Sequence, residues 1–222
     1  MKSTFFATIS ITLLLLAVPS HAAGKKTTAK PKQSHQLKEA LSLDLAGIML
    51  GQPMTMKECP SEIILKDYRS YKSDMDLKPE DKPCWKHTYR GKPLEPLPQN
   101  GKVDIIRSTD YPGVKGITAQ LVNGSVEGIT LITYGMNWQD RFFENLSEKY
   151  GKPSTNETTT EQNMMGAKFS NIVAEWKFTN LSVRFSGIVS DIYSGIVSAS
   201  TPAGARADEI EHQEEKSSEQ KL

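Results

Sequence analysis

The side chains able to carry chemistry are few and scattered. Of the 4 histidines, His21 falls in a segment read below as a removable leader, which leaves His35, His87 and His212. No HxxxH, HExxH or Cys/His cluster links them, so neither a zinc site nor a histidine-based triad has its usual spacing. His87, two residues from Trp85, reads as an ordinary strand or surface histidine. No GxSxG, P-loop or dinucleotide glycine pattern occurs, and the glycines read as turn residues. Carboxylates remain: Glu127, Asp140, Glu144, Glu175 and Asp191. A pair facing across a cleft could hydrolyse a glycosidic bond, but each sits where a solvated strand or helix face calls for charge. The expectation is a protein without catalysis, cofactor or metal, since no constellation that catalysis requires is present.

The two cysteines, Cys59 and Cys84, bracket a polar segment rich in Lys and Asp. They lack the CxxC spacing of a redox or metal pair, and the simplest reading in an exported chain is one structural disulfide. Export is itself read from the N-terminus. Lys2 precedes an apolar run over residues 5–18, followed by Pro19 and by small residues, Ser20 and Ala22, at the −3 and −1 positions of a cleavage site after Ala22. The run falls short of the roughly 20 apolar residues of an ordinary membrane span. No cysteine at the cut invites lipid attachment. The expected product is periplasmic or secreted and does not span a membrane after cleavage.

Those few groups have to be positioned by the rest of the chain. Leu37, Leu41, Leu45 and Ile48 recur at helical spacing and predict an amphipathic helix, ended by Gly47, Gly51 and Pro53; Gly51 to Met54 is a candidate start of a second short helix. From Lys102 the pattern turns to β. Val103, Ile105 and Ile106 mark a short strand, and residues 117–122 and 125–134 flank Asn123 and Gly124, a pair suited to a type I′ hairpin turn. Asn137, with Asp140 three residues on, predicts a capped helix carrying Trp138, Phe142, Leu146 and Tyr150 on one face and stopped by Gly151 and Pro153. Residues 154–163 read as a polar loop. Ala174, Trp176 and Phe178, then Leu181, Val183 and Phe185, alternate with polar residues and predict two antiparallel strands; residues 195–201 predict a last one.

Composition closes off some classes. A chain of 222 residues with 37% hydrophobic and 24% charged residues describes one soluble domain with loose ends. A formal charge of +1 argues against a nucleic-acid binder, which needs a basic face to displace counterions. The neutrality is a sum: residues 24–38 hold five Lys and no acid, and residues 206–222 hold six acids against three bases. The expected organisation is a leader (1–22), a flexible basic linker (23–36), a single α+β domain (37–201) and a disordered acidic tail (202–222). Four Asn-x-Ser/Thr sequons, at Asn123, Asn145, Asn156 and Asn180, would be glycan acceptors only in a eukaryotic secretory route.

The Gly135-Met136-Asn137 start, the helix ending in Tyr150-Gly151-Lys152-Pro153 and the sheet that follows resemble the helix-then-antiparallel-sheet module of the β-lactamase-inhibitor-protein-like fold, also found in small outer-membrane assembly lipoproteins. The Leu50-Gly51-Gln52-Pro53 element upstream of the cysteine pair is similar to that of uncharacterised periplasmic proteins. The resemblance implies an antiparallel sheet packed on one or two amphipathic helices, with the stretch around Gly51 to Pro60 as a degenerate first repeat, and an inhibitor-type or protein-binding scaffold. The leading functional expectation is an exported, non-catalytic accessory, inhibitor or immunity domain that binds another exported or envelope protein. Its candidate surface is Glu175, Lys177 and Arg184, on the outer sheet face if Trp176 and Phe185 point inward. The alternative is a small-molecule or polysaccharide groove lined by Trp85, Tyr134 and Trp138; a carboxylate-dependent hydrolase is third.

Overall fold

The structure is a computed structural model that describes residues 37–65, 68–88, 97–107, 111–162 and 165–219. The leader and basic linker read from the sequence lie outside the described residues. The chain runs β1 (Asp44–Leu45), β2 (Ile48–Met49), β3 (Gln52–Pro53), β4 (Lys57–Glu58), β5 (Ser61–Leu65), β6 (Tyr68–Tyr71), β7 (Cys84–His87), β8 (Gly101–Ile106), β9 (Val114–Val122) and β10 (Ser125–Thr133), then α1 (Gln139–Tyr150), β11 (Thr155–Gln162), β12 (Lys168–Lys177), β13 (Ser182–Ser186), β14 (Gly195–Ser200) and α2 (Pro202–Glu219). The class is α+β. One mostly antiparallel sheet of 10 strands has the order β11-β12-β13-β14-β10-β9-β8-β7-β4, with β3 added beside β10.

The strand period sorts residues onto two faces. The inner face carries Trp176, Val183, Phe185, Val197, Leu131, Ala119 and Val103, each buried to within a few per cent. Helix α1 packs there: Phe143 meets Trp176 with ring centroids 6.1 Å apart, and the Trp176 indole donates to the Gly151 carbonyl at 2.7 Å. The segment ahead of the sheet closes the same core through Leu45, Ile48 and Leu50. Tyr150 donates its hydroxyl to the Asp44 carbonyl at 2.6 Å, and Lys149 pairs with the Asp44 carboxylate at 2.7 Å.

The outer face is read from the register. One row passes from Lys86 through Asp104, Thr118, Thr130, Ser198 and Arg184 to Glu175. Beside it runs a row of Ile106, Gly116, Ile132, Ile196, Ser186 and Val173, apolar but for Ser186. On the other side lies a row containing Lys102, Gln120, Gly128 and Ser200. Helix α2 crosses this last row: Gln120 and Gly128 are buried beneath it, and Lys102 pairs with Glu211 at 2.6 Å. At the far end, Cys59, Leu77 and Cys84 form a small second core with Tyr71 and Ile106.

Several expectations are corrected here. Residues 37–48 form no helix. Ala46 and Gly47 take positive φ (52° and 74°) to turn β1 into β2, Leu41 is fully exposed, and only Leu45 and Ile48 of the stripe are buried. Gln52 and Pro53 extend along β10 and start no second helix. Residues 155–162 are a full edge strand, their polar character following from exposure on both faces. Asn137 lies in a short 3-10 turn, and Trp138, without a side-chain cap, precedes α1. The acidic tail holds a helix: Thr201 caps α2, accepting from the Gly204 N–H at 3.2 Å, with Pro202 in the first helical position.

Candidate functional site on the outer sheet face

Cys59 and Cys84 are joined, with an S–S distance of 2.06 Å and Cα atoms 4.9 Å apart. The loop they close stands over the outer face of β7 and β8. A groove of about 670 Å³ opens between this loop and the sheet. Its floor is Asp104, Ile106, Gly116, Thr118 and Ile132 of the sheet; Asp74, Met75 and Lys82 line it from the disulfide loop, and Arg107, Tyr111 and Lys115 from the ends of β8 and β9.

The groove's acids are already engaged. Asp74 pairs with Lys86 at 3.0 Å, and Asp104 accepts the Thr118 hydroxyl at 3.1 Å. Arg107 donates to the Ala46 carbonyl and lies 5.4 Å from the Tyr111 ring centroid. Lys115 donates to the Tyr193 carbonyl at 2.6 Å and to Ser194 at 3.0 Å, while its ammonium sits 5.2 Å from the Tyr134 ring. Large apolar groups are bare in the groove and beside its Lys115: Met75 is 93% exposed, with Tyr111 and Ile132 also exposed, and next to Lys115 Tyr193 is 61% and Tyr134 48% exposed. Surfaces that expose clustered apolar groups beside cations are the kind that protein interfaces use.

The surface named from the sequence lies on the same face at its other end. Trp176 and Phe185 point inward, and Glu175, Lys177 and Arg184 point out. Glu175 accepts from Lys177 at 2.9 Å and from Arg184 at 3.4 Å. Burial pushes its carboxyl up, but the hydrogen bonds and charge of the two cations outweigh burial and hold it below the usual glutamate range. The three charges therefore largely satisfy one another.

The second candidate groove does not assemble. Trp85 is buried in the core opposite Ile105, with β8 and β9 between its strand and β10. Trp138 packs against Gly113, where a Cβ would lie 2.5 Å from its ring, and against Phe142. Only Tyr134 of the three is exposed. Nor do the carboxylates converge: Asp140 and Glu144 ride on α1, beyond the inner face, whereas Glu175 is on the outer one. Glu127 accepts from Thr201, and Asp191 accepts the Tyr193 N–H at 2.7 Å within its own loop. His87 stacks edge-on against Trp85 at 5.2 Å. Among the described residues, no group of three or more His, Cys, Asp or Glu could hold a metal ion.

The groove residues were missed at the sequence level, although one signal was present. Ile132 and Tyr134 occupy the solvent parity of a strand whose other parity holds Ile129 and Leu131, and an apolar residue on the polar parity marks a surface needing explanation.

Comparison of the chain with protein-family models, with curated proteins and with solved structures finds no match. The disulfide, and the absence among the described residues of a helix long and apolar enough to cross a membrane, are compatible with export.

Proposed function

We propose that this chain is an exported, periplasmic or secreted, non-catalytic domain that binds another exported or envelope protein on the outer face of its sheet, with the groove as the anchor of the interface. The observation that carries the reading is the exposure of Met75, Tyr111 and Ile132 in one groove, with Tyr134 and Tyr193 exposed beside its Lys115. Tyr, Met and Arg are the types enriched where interfaces concentrate their binding energy. The sheet supplies a rigid platform behind them.

Photo-crosslinking in the native host tests it. A photoreactive phenylalanine analogue at position 132 or 134 should give one discrete adduct, while the same analogue at Glu144, on the exposed side of α1, should give none. Absence of adducts at 132 and 134, or the same adducts from all three positions, would refute the reading.

A further inference from the structure

We infer that the groove takes an acidic, extended segment of a partner polypeptide; this rests on the outer face being the binding surface and adds the chemistry of what it receives. Four cations line the groove against two carboxylates. Asp74 pairs with Lys86, while Asp104 accepts the Thr118 hydroxyl and keeps its charge, so the lining carries two more cations than carboxylates. Among the described residues, Lys82, Arg107 and Lys115 make no direct pair with a carboxylate; Arg107 donates to the Ala46 carbonyl, and Lys115 to the Tyr193 carbonyl and to Ser194, whose hydroxyl in turn donates to Asp191. A groove with walls of low polarisability concentrates the field of this cation excess, and an acidic ligand complements it.

The occupant's shape follows from where these cations sit. Lys82 comes from the disulfide loop, Arg107 from the end of β8 and Lys115 from β9. They do not share one segment as a phosphate cradle does, and Ile106 and Ile132 line the same groove. A chain with carboxylates spaced along it and an apolar side chain between matches that pattern. The floor also leaves room: a Cβ built on Gly116 meets nothing within 4 Å, and its φ lies outside the left-handed region. A larger side chain at this position would therefore enter the groove without straining the strand.

The test uses the full mature chain with its disulfide formed and three fluorescent peptides of equal length: alternating Glu with Phe and Ile, its Gln counterpart and its Lys counterpart. Fluorescence anisotropy should show the Glu peptide binding at least about tenfold more tightly than the other two, with affinity falling as salt is raised. Gly116→Phe, which occludes the floor, and Lys82→Glu, which leaves the Lys115 contacts intact, should each weaken it by about tenfold or more, with melting temperatures unchanged. Equal binding of the Glu and Gln peptides, undiminished binding to Gly116→Phe, failure of the Glu peptide to bind, or its displacement by millimolar inorganic phosphate would each overturn the inference. Crosslinks at 132 and 134 without Glu-peptide binding would remove this inference alone. Loss of both would remove the outer-face reading as well.

Discussion

Gly204→Ala separates a docked α2 from a loose tail. In the structure, a Cβ at Gly204 would lie 2.2 Å from the Glu127 carbonyl oxygen and 2.7 Å from its carbon. Both are backbone atoms of β10 at a bulge residue whose carbonyl accepts the Thr201 N–H at 2.9 Å. The helix and the bulge must part by about 1 Å, and such overpacking costs about 1–3 kcal/mol. Parting also loosens the Thr201 cap, worth about 1 kcal/mol, and the exposed Lys102 pairs, worth about 0–1 kcal/mol. Against this, Ala gains about 1 kcal/mol over Gly as a helix former. The balance is a loss of about 2 kcal/mol, or a Tm drop of about 4–8 °C for a domain of this size. Hydrogen exchange should show the amides of α2 losing protection, by about tenfold per 1.4 kcal/mol, while α1 is unaffected. Gly116→Ala is the matched control: its Cβ meets nothing, and reduced unfolded-state entropy should leave Tm unchanged or raise it slightly. Equal behaviour of the two variants, with α2 exchange unchanged by Gly204→Ala, would refute the docking.

Removing the disulfide with Cys59→Ala and Cys84→Ala opens a loop of sequence separation 25; the chain-entropy model gives a loss of about 3–4 kcal/mol, checked by urea unfolding, and a loss below about 1 kcal/mol would contradict a stabilising staple. Burial raises the Asp44 carboxyl, but bonds from Lys149, Ser42 and the Gly47 N–H outweigh it and leave the folded pKa below the ordinary aspartate value. Its contribution to stability is therefore fully present above the unfolded pKa, near 4, and is lost as pH falls through the lower folded value. Asp44→Asn should flatten the acid limb of a Tm-against-pH curve, and an NMR titration placing Asp44 above the ordinary value would reverse the sign.

The elements legible in the sequence are those whose local chemistry and burial agree. Asn123 and Gly124 take φ of 52° and 77° in the hairpin turn, as their small or absent side chains allow. Phe142, Leu146 and Tyr150 are buried along α1, and Trp176, Val183 and Phe185 along β12 and β13. The illegible elements are those held by something other than an apolar stripe. Leu37 and Leu41 kept helical spacing with no surface to bury against, and the turn at Ala46 and Gly47 decided the backbone instead. Strand β11 has a polar sequence because it is an edge; its pairing comes from β12 through eight registered partners. Helix α2 docks by Ala203, Gly204 and Ala207, small residues that score as nothing in a hydrophobic pattern, while its large apolar residue, Ile210, faces out. Thr201 followed by Pro202 was the available signal for its start.

The candidate site was legible only in part for the same reason: it is defined by what the outer face is not covered with. Helix α2 covers one flank, and the disulfide-bounded loop with its small core of Cys59, Leu77 and Cys84 covers another. Between them the register leaves Ile132 and its neighbours bare, and at the far edge Glu175 neutralises Lys177 and Arg184. A surface charge triad that satisfies itself has little left to offer a partner. Lys82, Arg107 and Lys115 make no direct pair with a carboxylate among the described residues, and they stand beside apolar groups that gain from leaving water. The same sheet face thus carries a self-paired charge cluster at one end and, at the other, exposed apolar groups beside a cation excess, and the proposed interface lies at that second end.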